Sequence, residues 1–176
     1  VLPKGLRCLG NSKGWKQLLA HLQEKKHEPF VLWGPTGCGK TWGVRELLGA
    51  MNYRVVELDG SDGEDTKQLI TWVKRVRDIK VMQGPTAVLL DDYESLTEDA
   101  RKRMADMLKK ATEKTLAPII ITCTQFKEPR LRDLLTFTNV RLFAPNEHVC
   151  KEWFDKQGFQ LDKGGATQRC YPKEGW

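Results

Sequence analysis

Eight consecutive residues, Gly34-Pro35-Thr36-Gly37-Cys38-Gly39-Lys40-Thr41, follow the spacing G-x-x-x-x-G-K-S/T. That spacing suits the holding of phosphate. Its glycines let the backbone curl until the N–H groups converge on phosphate oxygens, and the amino end of a following helix adds its dipole. In such a loop Lys40 reaches the β and γ phosphates of ATP, and the Thr41 hydroxyl ligates Mg²⁺. A second set of candidates lies further along. Asp91 closes an apolar run, where an acid holds Mg²⁺ through its waters. Asp92 follows in the place of a general base or water-positioning carboxylate, with Glu94 as the alternative for that role. Thr124, closing a later apolar run, is placed to orient an attacking water or to touch the γ phosphate.

These side chains need elements to carry them, and the apolar pattern supplies candidates. Trp15, Leu18, Leu19 and Leu22 fall at i, i+3, i+4 and i+7, which predicts an amphipathic helix ending near Lys26. Phe30 to Trp33 is a continuous apolar run that reads as a buried strand leading into Gly34, and a helix is expected from about Lys40 to Met51. Tyr53 to Leu58 predicts a second strand. Ser61 and Glu64 then have capping-box spacing ahead of a helix carrying Leu69, Val73 and Val76. Ala87 to Leu90 predicts the third strand. Ser95 and Glu98 repeat the capping-box spacing before a helix with Ala100, Met104, Met107, Leu108 and Ala111 on one face. Ile119 to Ile121 begins a fourth strand, a short helix is expected around Arg130 to Leu135, and Val140 to Phe143 predicts a fifth strand.

Continuous apolar strands alternating with helical patterns predict an α/β fold, a five-stranded parallel sheet with helices on both faces. The expected organisation is a nucleotide-binding core over residues 1–145, followed by residues 146–176 as the start of a helical lid and a tail without periodicity, expected to be poorly ordered.

The chain has 176 residues, with 29 Lys and Arg against 23 Asp and Glu, for a formal charge of +6. That length fits one domain with a core of its own. Apolar runs of four residues exclude a membrane-spanning helix, which needs about 20. Cys8, Cys38, Cys123, Cys150 and Cys170 never form a Cys-x-x-Cys pair, so neither a disulfide framework nor a zinc site is indicated, and an intracellular setting is expected. The chain begins at Val1, and it is expected to be a piece of a longer protein.

The phosphate loop, the paired acids Asp91-Asp92 and the polar end of the fourth strand together resemble the AAA+ ATPases, and within them the clamp loaders, most of all the large subunit of replication factor C. Glu57-Leu58-Asp59-Gly60-Ser61-Asp62 is similar to the E-L-N-A-S-D segment of that family, and Leu9-Gly10-Asn11 to its nucleotide-binding amino-terminal segment. Residues 119–145 resemble the sensor-one strand and its sequel. Asp59 stands where the family has Asn, Asp92 where it has Glu, and Thr124 where it often has Asn. Arg132-Asp133-Leu134-Leu135 replaces the Ser-Arg-Cys finger of small subunits. The resemblance implies Asn11 as a nucleotide contact and ATP with Mg²⁺ as cofactors. The partners it implies are other AAA+ clamp-loader subunits, a sliding clamp and primer-template DNA, with a nuclear location if the source is eukaryotic.

Basic residues gather at Lys74, Arg75, Arg77 and Lys80, and again at Arg101, Lys102, Arg103, Lys109, Lys110 and Lys114, where phosphates of duplex DNA would be met. Two other functions stay open: an interaction module that holds its nucleotide without hydrolysing it, and a small nucleotide kinase, which shares the loop and the length.

Overall fold

A computed structural model describes residues 1–3, 6, 10–24, 28–60, 71, 85–110, 117–126, 129–146, 148, 150–152, 159–161 and 170–172. Of the expected helix carrying Leu69, Val73 and Val76 only Thr71 is described, in helical conformation; those three residues and the basic cluster Lys74 to Lys80 lie outside the described residues, as does most of the expected lid.

Five strands form one parallel sheet: β1 (Phe30–Trp33), β2 (Arg54–Asp59), β3 (Thr86–Asp91), β4 (Ile119–Cys123) and β5 (Thr138–Arg141). Their spatial order is β2-β3-β4-β1-β5, so β4 lies between the strand that leads into the phosphate loop and the strand that ends in Asp91. Parallel strands need crossovers that pack on the sheet faces, and here both faces are covered. Alternate residues of each strand divide between two cores. Phe30, Leu32, Ala87, Leu89 and Ile120 face helices α1 (Ser12–Gln23) and α2 (Lys40–Ala50), which contribute Trp15, Leu18, Leu22, Val44, Leu47 and Leu48. Val31, Val88, Leu90, Ile119, Ile121 and Cys123 face the other way. They meet Met104, Met107 and Leu108 of α3 (Glu98–Lys110), and Leu131 and Leu134 of the 3-10 segment Pro129–Thr136. The predicted fold class is the observed one.

The differences are local. Ser95 does not cap α3. Thr97 does, its Oγ1 accepting the Ala100 N–H at 3.3 Å, while Ser95 lies in a 3-10 turn over Tyr93–Ser95. The spacing of Ser95 and Glu98 suits a box, but a helix starts where the backbone leaves the preceding turn, and that turn is set by Asp92. The fifth strand is shifted towards the amino terminus of its predicted span, because an edge strand with mostly exposed residues carries little apolar signal. Beyond the sheet, β6 (Phe159–Leu161) and β7 (Cys170–Pro172) pair antiparallel; of the tail over 163–176 only residues 170–172 are described. A strand of three residues is too short to show a period of two.

Candidate functional site

The loop after β1 delivers Lys40 and Thr41 as the first two residues of α2. Gly37 and Gly39 have φ of 79° and 86°, the left-handed region that residues with a Cβ avoid. Gly39 is the residue preceding α2, so the chain turns there and sends the helix amino end back over the loop. A Cβ on Gly37 would meet nothing within 4 Å. The loop is therefore open to solvent at Gly37, and access to its backbone is not blocked there. Lys40 Nζ donates to the carbonyls of Gly34 at 2.8 Å and Pro35 at 3.1 Å, which folds its ammonium back over the loop.

Asp91, at the end of β3, is brought to Thr41. Thr41 Oγ1 lies 2.8 Å from Asp91 Oδ1 and 2.9 Å from Oδ2, so one hydroxyl proton points between the two carboxylate oxygens. Thr122 of β4 approaches the same acid from the side, its hydroxyl donating to Asp91 Oδ1. The hydroxyl also accepts the Asp92 N–H at 3.2 Å. Residues 91 and 122 share the sheet face that α2 covers, because each lies two positions beyond a residue of that core, Leu89 and Ile120. The sequence offered no role for Thr122. Its one signal is a polar residue inside the apolar run from Ile119 to Cys123, and a threonine is ordinary in a strand.

Asp92 turns the chain sharply, with φ 49° and ψ 50°, a conformation that Asp tolerates better than most residues. Its carbonyl accepts the Ser95 N–H at 2.9 Å, and its Oδ2 accepts the Ser95 hydroxyl. Glu94 reaches across to β4, where its Oε1 accepts the Thr124 N–H at 2.5 Å, and its Oε2 is buried with no hydrogen-bond partner among the described residues. The three candidates for handling an attacking water, Asp92, Glu94 and Thr124, thus stand together at the carboxyl ends of β3 and β4. Both carboxylates are already engaged.

The residues present fit Mg²⁺ and a phosphate chain. A hydroxyl at the head of a helix stands against a carboxylate, a lysine lies over a glycine loop, and Mg²⁺ needs only one or two protein oxygens beside those of the phosphates.

A family model described as AAA, ATPase family associated with various cellular activities, matches residues 30–142, more than half of the chain. This chain belongs to the AAA ATPase family. It is also similar to proteins named replication factor C large subunit. The one from Methanococcus aeolicus is 26% identical over 88% of this chain and 35% of its own length, and the one from Methanococcus vannielii is 25% identical over 92% and 35%. The one from Pyrobaculum calidifontis is 30% identical over 62% of this chain and 27% of its own. The chain spans about a third of the length of the first two relatives.

In this AAA ATPase core the expected nucleotide contact Asn11 sits just ahead of α1, with φ 55°. Its Nδ2 donates to the Phe143 carbonyl at 2.8 Å, and its Oδ1 accepts the Phe143 N–H at 2.8 Å. The side-chain amide thus pairs with the backbone beyond β5, as a neighbouring strand would. Asn11 lines an open groove of about 610 Å³ with Gln17, Asn139, Arg141 and Asn146. Its side chain shapes one wall of that groove by holding the two segments together.

An ion pair lies close to the site. Arg45 of α2 makes a fork with Glu57 of β2, at 2.8 Å from Nε and 2.5 Å from Nη2, and the pair raises the guanidinium pKa further. Sequence spacing gave no hint of it. The basic residues on α3 are partly committed as well. Arg101 Nη1 donates to the carbonyls of Glu94, at 3.1 Å, and Leu96. Lys102 pairs with Glu98 and Lys109 with Asp133, each at 2.7 Å, while Arg103 is exposed. Lys110 closes α3, and its side chain lies outside what is described. Among the described residues no helix is long and apolar enough to cross a membrane.

Proposed function

We propose that this chain is the Mg-ATP-binding core of a clamp-loader large-subunit-like protein. In this reading residues 1–145 form the core and residues 146–176 open a lid. The observation that carries it is the convergence of Thr41 and Asp91 behind a glycine loop that holds Lys40. Gly34 to Gly39 would offer backbone N–H groups to the phosphates, Lys40 its ammonium, and Thr41 and Asp91 the oxygens for Mg²⁺. Bound there, Mg²⁺ neutralises charge on the phosphate oxygens.

On binding, Lys40 exchanges two carbonyl contacts for a phosphate. The exchange favours phosphate because the ammonium meets full negative charge there, where the two carbonyls offer only dipoles. Calorimetry with Lys40→Ala tests this, with an expected loss of about 10- to 100-fold in ATP affinity, the worth of one charge-assisted contact. Unchanged affinity refutes the assignment. The likeness to replication factor C large subunits supports partners of matching kind: other AAA+ subunits, a sliding clamp and primer-template DNA, inside the cell. DNA phosphates would be met by the exposed face of α3, through Lys102, Arg103 and Lys109.

A second reading is favoured by a specific observation. Both candidate bases are tied down, Asp92 by Ser95 and Glu94 by the Thr124 amide, as suits a module that holds nucleotide and turns it over slowly. Single-turnover hydrolysis in the assembled complex separates the readings. If Asp92 is the base, Ser95→Ala frees its carboxylate and raises the rate several-fold, and Asp92→Asn abolishes it. Equal slow rates in the wild type, both variants and Glu94→Gln favour the holding module, whereas loss of turnover in Glu94→Gln alone makes Glu94 the base.

A further inference from the structure

Asp91 is joined to the sheet through a torsion that has no sharp preference of its own, since the carboxylate plane of an Asp rotates in a broad two-fold well. Its orientation therefore comes from its hydrogen bonds. Thr41 points one proton between the two oxygens, at 2.8 and 2.9 Å, a contact that is nearly symmetric and fixes the distance better than the plane. Thr122 breaks that symmetry, because it donates to Oδ1 alone.

The direction of the Thr122 bond is not free to reverse. The Asp92 N–H has only a proton to give, so the Thr122 oxygen must be the acceptor there, at 3.2 Å. A hydroxyl has one proton, and the remaining direction is towards a carboxylate that can only accept. Thr122 is 1% exposed, so its bond to Asp91 is made away from solvent. It also lies on β4, between β1 and β3, where it joins the backbone after Asp91 to the side chain of Asp91.

We propose that Thr122 is a positioning residue for the metal-binding acid: its hydroxyl fixes the plane of the Asp91 carboxylate and leaves Oδ2 presented towards the Mg²⁺ side of Thr41. The inference rests on the reading of Thr41 and Asp91 as the Mg²⁺ oxygens. Thr122 itself touches neither metal nor nucleotide in this role, so its removal acts on the metal-dependent part of binding and leaves the metal-free part.

Nucleotide affinity is measured by fluorescence titration with a labelled ATP, in Mg²⁺ and again in EDTA, for wild type, Thr122→Val and Thr122→Ser. Thr122→Val keeps the shape and removes the hydroxyl; Thr122→Ser keeps the hydroxyl and removes a methyl. The ratio of the two affinities isolates the Mg²⁺ contribution. It is expected to fall about tenfold in Thr122→Val, the worth of one hydrogen bond to a charged group. Affinity in EDTA is expected to stay within about twofold, and Thr122→Ser to keep the wild-type ratio. If Thr122→Val does not give a cooperative melt, Thr122→Ala replaces it with the same expectation. A full Mg²⁺ contribution in the variant lacking the hydroxyl overturns the proposal, and so does an equal loss in Mg²⁺ and EDTA, or a fall in Thr122→Ser as deep as in Thr122→Val. A wild type whose affinity does not respond to Mg²⁺ overturns instead the reading of Thr41 and Asp91, and the role of Thr122 with it.

Discussion

The most demanding test of the site's geometry is a single methyl group at Gly60. This residue follows β2, and its N–H donates to the Asp91 carbonyl at 2.9 Å, fastening the end of β2 to the turn that carries both acids. A Cβ built on Gly60 would stand 2.3 Å from the Asp92 carbonyl oxygen and 3.2 Å from the carbonyl carbon. Carbon and oxygen need roughly 3.0 Å or more, so backbone must move by about 0.7 Å or further, and neither partner is a flexible side chain. Overpacking of this kind costs about 1–3 kcal/mol, which in a chain of this size lowers Tm by roughly 2–10 °C. Because the atoms struck belong to Asp92, the displacement goes into the site. Gly60→Ala is therefore expected to lose about tenfold in Mg-ATP affinity while remaining folded, on the scale of one disturbed contact to a charged group. Gly49→Ala is the control. That glycine lies in α2, where a Cβ meets nothing within 4 Å, and alanine there should stabilise by about 0.4–1 kcal/mol with ATP binding intact. Thermal melts with and without Mg-ATP read both quantities. The E-L-N-A-S-D pattern carries alanine at the place of Gly60. A Gly60→Ala variant indistinguishable from Gly49→Ala would mean that the end of β2 slides without moving Asp91, and the reasoning would fail.

Two further outcomes follow from the same neighbourhood. Cys38 is buried in the phosphate loop, and burial pushes its thiol pKa up, against the Lys40 ammonium and backbone N–H groups that pull it down. The thiol is therefore neutral at pH 7, and iodoacetamide labelling of Cys38, followed by peptide mass spectrometry, should keep accelerating through pH 8–9; a plateau below pH 8 would contradict this. On α3, replacing Lys102 and Arg103 together by Gln should flatten the plot of log DNA affinity against log salt by about 1.8, two phosphate contacts at about 0.9 each. An unchanged slope would show that this face meets solvent only.

What the sequence disclosed follows from how local each feature is. The glycine loop over residues 34–41 was recognisable because its eight residues are contiguous and, in the reading proposed, act mainly through their own backbone, so spacing alone carries the proposal. β1, β3 and β4 were readable as apolar runs because a central strand of a sheet covered on both faces has no polar side to present. β5 was misplaced because it lies at the edge, where half-exposed residues erase that signal. Thr122 was invisible for a different reason. Its function exists only once β4 lies beside β3 and α2 crosses the same face, which brings residues 41 and 122 within reach of the Asp91 carboxylate. Ser95 makes the same point in reverse, since its spacing from Glu98 announced a helix cap. The left-handed turn at Asp92 had already claimed its hydroxyl, and that turn is itself held by a bond from the Asp92 amide to β4. A local motif is thus overruled where a long-range contact fixes the backbone before it. In this site such contacts gather on Asp91 and Asp92, the two residues whose chemistry depends most on the direction in which a carboxylate points.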